Sequence, residues 1–491
     1  MITNNMGVVL QQSFKNTLII FLGFAIGGIN VLFLYTHFLD ADHYGLVTFL
    51  LSSANILMPL LVFGMQHTII KFFSSYTEKS DKDNFLITAI ILPLLIIVPL
   101  SFVGALFYDF IADLLSKENI IIKKYTYLIF FTAIFMGYFE VFYAWSRVQM
   151  RSVFGNFIRE VFARVCVFFL LFAVYFGWLS NEQFVYALVM VYFIRMLIMK
   201  LYAFHLYFPK LGIFTLPKNI REIIQFSFYI ILAGSAGTIL LEIDKFMIPQ
   251  MEKIAQVAYY SVGVYMASVI AIPSRAIQQI ANPITAKDLN NGKMQAVEKL
   301  YKKSSINLLI IGGLFFLLIN VNIHELYQII NKPEYTVGVY IVLIISMSEL
   351  FKLSMGTNGA ILTNSKYYRM LFYFSIAMAF SVIVLNRILI ELLGIEGAAL
   401  ATLIVVLVFG VIKIVYVNNK LKMHPYSKDT KLILGIIALL FILFYFIKLD
   451  INPFLSILVK SVFLSVAFIY LIIKLKLSED INKVLKKYFS N

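Results

Sequence analysis

LLEIDKFMIPQMEKIAQVAYYSVGVYMASVIAIPSRAIQQIANPITAK, residues 240–287, decides how this chain is read. One apolar run ends in Glu242, Asp244 and Lys245, a short polar crossing follows, and a second apolar run begins at once. That second run is long enough to cross a bilayer and carries Pro273 and Arg275 well inside it. Charge at such depth is expensive, and a sequence that keeps it there usually has a use for it.

The same alternation fills the chain. Of 491 residues, 61% are hydrophobic and 14% charged, with a mean hydropathy of +0.88. Soluble domains sit nearer 45–50% apolar and about 25% charged, so this is an all-α polytopic membrane protein. The apolar runs are continuous, whereas barrel strands alternate with period two. About 14 transmembrane helices fit, at 17–38, 44–65, 85–107, 125–147, 158–177, 183–207, 222–243, 254–281, 305–323, 335–362, 369–390, 395–417, 431–448 and 454–473; they are spans 1 to 14 below. The polar stretch Met1–Asn16 precedes an apolar run too long for a signal peptide, so span 1 is expected to be retained.

Most of the 41 Lys and Arg residues fall in alternate loops, which places both termini in the cytoplasm. The formal charge of +15 therefore suits anionic lipid head groups and an anionic cargo, and nucleic acid is not expected. In 287–303, Met294, Val297 and Leu300 lie opposite Lys293, Lys299, Lys302 and Lys303. That pattern suits a helix on the inner leaflet or a solvated connector.

The halves are weakly alike. Gly23, Gly27 and Gly28 in span 1 match Ala233, Gly234 and Gly237 in span 7, both giving small-residue faces for close helix approach. Glu140 in span 4 matches Glu349 in span 10, about 210 residues later. Two six-helix lobes, 1–215 and 216–423, are expected as parallel repeats. A C-terminal pair, 424–491, follows them.

Enzyme motifs are absent: there is no P-loop, and the six histidines lack metal-ligand spacing. No metal or cofactor is expected beyond H⁺ or Na⁺ coupling. Cys166 is the only cysteine, which excludes an internal disulfide. Asp40-Ala41-Asp42 has the form of a glycosyltransferase metal motif but reads as a polar turn, because the connection around it is only about five residues.

The informative residues are ionisable groups inside spans. Glu140 and Arg147 share a face of span 4, Glu160 and Arg164 have i,i+4 spacing in span 5, and Arg195 lies in span 6. Span 10 holds Glu349, Lys352 and Asn358. Each charge has a bland alternative, in which it is neutralised by a helical neighbour or snorkels to the head groups. That alternative is preferred for Arg147, Arg159, Arg387 and Lys413. Arg275, Arg195 and Lys352 are the candidates for lining a cavity, and Arg147, Arg164 and Asn358 join them as further substrate-binding candidates. A cationic interior implies an anionic cargo. Glu140, Glu160, Asp244 and Glu349 are the carboxylates that could carry H⁺ or bind Na⁺.

LEIDKFMI (241–248) and AYYSVGVYMASVIAIPSRAIQQIANPITAKDLNNGK (258–293) resemble spans 7 and 8 of the polysaccharide-transporter family of flippases. HYGLVTFLLSSANILMPLLVFGMQHTIIKFFSS (43–75) resembles the family's span 2. NGAILTNSKYYRM (358–370) and LNRILIELLGIEGAALATLI (385–404), with G-x-x-GAA-x-AT at Gly394–Thr402, resemble its spans 10 to 12. Glu391 stands where the family usually has proline, which bears on how span 11 ends. The superfamily also includes multidrug exporters and peptidoglycan-precursor flippases. The resemblance implies a two-lobed, alternating-access transporter in the bacterial inner membrane. Its cargo would be undecaprenyl-pyrophosphate-linked oligosaccharide, an O-antigen or capsule repeat unit. Membrane lipids and glycan polymerase or assembly proteins would be its partners.

Overall fold

The computed structural model describes residues 2–210 and 214–478; the side chains of 2–14, 232–233, 275–276 and 279–280 lie outside that description. The described residues form helices and turns, with no strand among them. Among the described residues, twelve helices are long and apolar enough to cross a membrane. Two more match the remaining expected spans. Span 5 consists of Ser152–Phe157 and Ala163–Tyr175 joined by a π-turn at Ile158–Phe162, and span 13 is the 18-residue helix Lys428–Tyr445. The all-helical, roughly fourteen-span architecture expected from the apolar runs is what the chain forms.

The chain divides into two compact units, Met1–Ala258 and Tyr259–Asn491. In the first, span 4 (Ile121–Val148) is the axis, packed by span 2 (Ala41–Leu61), span 6 (Asn181–Leu206) and the short helix Met65–Phe72. Lipid is as apolar as leucine, so close van der Waals fit holds such helices together. Gly137 lets span 2 approach: a Cβ there would run into the Val62 side chain. Trp145 and Phe139, fully buried, fill the space around that contact.

Span 2 breaks where its sequence requires. Pro59 removes a backbone donor within the helix, and Phe63 and Gly64 then adopt left-handed φ values of 49° and 63°. Only glycine suits position 64, because a Cβ would also stand 2.7 Å from Ile230 Cγ2 of span 7. Span 7 (Ile220–Gln250) is fastened to the first unit along its length. Thr68 and Ser227 share a hydrogen bond of 2.8 Å. Glu242 accepts from the Ser52 hydroxyl at 2.9 Å and the Asn55 amide at 3.3 Å. Asn119 donates to the carbonyls of Pro249 and Glu252 and accepts from the Ile254 N–H.

The second unit packs spans 13 and 14 onto span 9 (Met294–Val321), with Leu309, Leu317, Ile437, Leu464 and Phe468 at the contact. Inside it lies an ion pair that sequence reading overlooked. Lys460 of span 14 (Pro453–Lys474), 4% exposed, is 2.6 Å from Glu325, and Ser456 donates to the same carboxylate oxygen.

Residues 287–303 do not form a separate helix on the leaflet. The helix Ile272–Asn290 and span 9 run into this stretch from either side and meet at a turn closed by Gly292, whose φ is +68°. Val297 and Tyr301 pack against Ile361, Leu362, Val417 and Met423, while Met294 stays exposed. Span 11 (Arg369–Leu393) continues through Glu391 and stops at Gly394, φ +59°, so proline is not needed to end it. Gly397 then permits backbone-to-backbone contact with Leu389.

Candidate functional site

The charged residues of spans 4, 5 and 6 converge on one cavity of about 510 Å³ within the first unit. Span 2 contributes Asn55 and Pro59, helix Met65–Phe72 contributes Gln66 and His67, and span 7 contributes Ile230, Gly234 and Thr238. Span 4 supplies Glu140, Tyr143 and Arg147; span 5 supplies Arg159, Glu160 and Arg164; span 6 supplies Tyr192 and Arg195.

Local structure explains why span 5 gives three of them. The π-turn at Ile158–Phe162 widens the helix there, so Arg159 and Glu160, adjacent in sequence, both reach the cavity that Arg164 lines. Arg159 Nε lies 3.5 Å from Glu140 and 3.7 Å from Glu160. Arg164 Nη1 bonds the Glu160 carboxylate at 3.0 Å and also the Glu160 carbonyl. Two carboxylates are thus shared by two guanidiniums.

Arg147 and Arg195 have no carboxylate within ion-pair distance among the described residues. Arg195 is 9% exposed, its guanidinium lies 3.9 Å from the Phe139 ring centroid, and its Nε has no hydrogen-bond partner. Arg147 stands 5.7 Å from the Tyr143 ring. Burial, aided by Arg147, holds the pKa of the His67 imidazole below its ordinary value despite Glu140 nearby. Four guanidiniums face two carboxylates, leaving two positive charges.

Of the residues singled out from sequence, Arg147, Arg164, Arg195, Glu140 and Glu160 meet in this cavity. Lys352 and Glu349 pair with each other at 2.8 Å in span 10 (Pro333–Ser354) of the second unit. Asn358 opens the short helix Asn358–Asn364, is buried, and donates to the Tyr301 hydroxyl at 2.5 Å. Asp244 is buried near the end of span 7. Arg275 lies in the helix Ile272–Asn290, but its side chain is outside the described residues. Arg159, read from sequence as a snorkelling or self-neutralised charge, lines the cavity; Gln66, Asn55 and Tyr192 carried no sequence signal. Asp40 of the Asp-Ala-Asp turn caps span 2, accepting from the His43 N–H and ring at 2.8 and 2.9 Å and from Asn181.

A bundle of apolar helices around a net-cationic cavity defines a multi-pass membrane protein. The family model described as polysaccharide biosynthesis protein matches residues 10–287, and the chain belongs to that family. Its fold is shared with the lipid II flippase MurJ in an inward closed conformation, at a TM-score of 0.74 and 14% identity over 98% of this chain and 100% of that one. An inward-facing multidrug resistance MATE family transporter of the MOP superfamily matches at 0.60 and 13%, covering 83% and 94%. The MATE multidrug transporter DinF-BH matches at 0.57 and 11%, covering 84% and 95%. No curated protein sequence matches. The family resemblance drawn from residues 43–75 and 241–293 is thus shared by the family model, and the likeness over 358–404 holds as one of fold.

Proposed function

We propose that this protein is a flippase of the bacterial cytoplasmic membrane, moving undecaprenyl-pyrophosphate-linked oligosaccharide from the inner to the outer leaflet by alternating access between two six-helix lobes. The observation that carries this is Arg195: a nearly buried cation with an unsatisfied Nε, facing a cavity whose balance is two charges positive. Such an arrangement is costly when empty and favourable once an anion enters. A pyrophosphate offers charge and acceptors enough for Arg195, Arg147 and Arg164 together. Lys352, Arg275 and Asn358 of the second unit are the further substrate-contacting candidates.

Glu140, Glu160, Asp244 and Glu349 are the coupling candidates. Glu140 and Glu160 are tied to guanidiniums, which keep their charge. Glu349 is tied to Lys352. Transport that persists unchanged after collapse of both H⁺ and Na⁺ gradients would contradict coupling altogether.

The rival reading is an ion-coupled exporter of small organic cations, which the shared MATE fold admits. The surplus of guanidinium in the cavity opposes a cationic cargo. The test is in cells lacking their own flippase. The protein restores surface glycan, Arg195→Ala expressed at the same level does not, and neither changes resistance to cationic drugs. Restored drug resistance without glycan export would favour the rival.

A further inference from the structure

Span 1 (Lys15–Phe38) supplies no residue to the cavity, yet it touches the part of span 5 that builds it. Gly23 packs against the π-turn so closely that a Cβ would stand 2.5 Å from the Glu160 carbonyl oxygen and 2.8 Å from Arg164 Nη1. The first of these obstacles is backbone and cannot swing aside. Two turns further on, the buried Asn30 donates its side-chain amide to the Arg164 carbonyl at 2.8 Å. Inserting a residue into a helix disturbs the i+4 pairing of its carbonyls, and buried carbonyls need donors. The Arg164 guanidinium meets the Glu160 carbonyl inside the π-turn, and Asn30 gives the Arg164 carbonyl, in the helix Ala163–Tyr175 just beyond, a donor from span 1. Asn30 itself opens a second π-turn, Asn30–Leu34, in span 1.

We infer that Gly23 and Asn30 are positioning residues for the anion site: span 1 holds the span 5 π-turn in the register that aims Arg164 and Glu160 into the cavity. The inference rests on the anion reading proposed above. Glycine is required at 23 because a Cβ there meets the Glu160 carbonyl, and asparagine at 30 because its amide ties span 1 to the Arg164 carbonyl. Since Asn30 starts the π-turn of span 1, a change of bend there alters the guanidinium set directly.

The test uses full-length protein in detergent and inorganic pyrophosphate as the probe, with affinity and melting temperature measured side by side. Gly23→Ala and Asn30→Leu are each expected to weaken pyrophosphate binding about tenfold or more. Gly313→Ala, which drives a Cβ into Ile437 of the second unit, is the packing control. It is expected to lower the melting temperature and leave the affinity unchanged. Should Gly23→Ala fail to fold, Asn30→Leu decides alone. If wild type binds pyrophosphate, Arg195→Ala does not, and both span 1 variants bind like wild type, positioning is overturned while the anion site stands. If wild type does not bind pyrophosphate, the anion reading fails and this inference fails with it.

Discussion

Arg159 Nε lies 3.5 Å from Glu140 Oε1, so a cation of span 5 is held by a carboxylate of span 4 at the wall of the cavity. Glu140 thus pairs across helices and not with Arg147, although the two share a face of span 4. Glu140 therefore sets how much of the cavity's positive charge is available to a ligand. Replacing it by glutamine leaves four guanidiniums facing one carboxylate. We expect Glu140→Gln to bind inorganic pyrophosphate about three- to tenfold more tightly and to export glycan more slowly, because release is delayed. Titration calorimetry beside an export assay checks both; weaker binding would contradict the charge balance.

Arg195 has a different signature. Its charge is buried without a carboxylate at ion-pair distance, so its desolvation is offset mainly by the Phe139 ring at 3.9 Å, with the Tyr192 ring at 5.5 Å, contacts of order 1–2 kcal/mol. Arg195→Met is expected to abolish export while leaving the melting temperature unchanged or raised, as for sites where stability is given up to function. A variant that loses export and stability together would assign Arg195 to the scaffold.

Lys460 behaves oppositely. Its ammonium is satisfied by Glu325 at 2.6 Å and by the carbonyls of Val321 and Ile447, both at 3.3 Å, and it lies in the contact that joins span 14 to span 9. Lys460→Met leaves Glu325 buried and uncompensated, at a cost of about 3–5 kcal/mol. The double variant Lys460→Met/Glu325→Leu is expected to recover most of that loss. Thermal melting in detergent measures the pair; an additive double variant would contradict the coupling.

Asp40 predicts a pH dependence outside the membrane spans. The His43 side chain, with help from its N–H and from Asn181, lowers the carboxyl from an ordinary 3.8 to about 2 against the opposing effect of burial. A depressed acid stabilises the fold fully above its unfolded pKa and loses that contribution as pH falls through the folded one. The melting-temperature difference between wild type and Asp40→Asn should hold constant from pH 8 to about 4 and shrink between about 4 and 2. A difference that vanishes by about pH 6 would contradict the cap.

Membrane class, span positions and family were legible because apolar runs and the segments at 43–75, 241–293 and 358–404 are local features of the chain. The cavity was half legible. Arg147, Arg164, Arg195, Glu140 and Glu160 announce themselves as charges inside apolar helices. Arg159 is such a charge too; its reading as a self-neutralised residue agrees with its pairing to Glu140, while the π-turn also brings it to the cavity wall. Asn55 and Gln66 are neutral, so nothing in composition marks them as cavity residues. Glu325 was hidden differently: it stands in a short helix between spans, and its partner Lys460 is too far along the chain to be guessed from spacing.

The central claim is that the cavity's guanidiniums carry a lipid-linked pyrophosphate across the membrane. Its most direct measurement is translocation of undecaprenyl-pyrophosphate-linked oligosaccharide in proteoliposomes of purified protein, followed by access of an external glycan-modifying enzyme. The account predicts translocation by wild type and at most background by Arg195→Met reconstituted at the same density. Equal translocation by both, or none by wild type with the correct glycan, would contradict it.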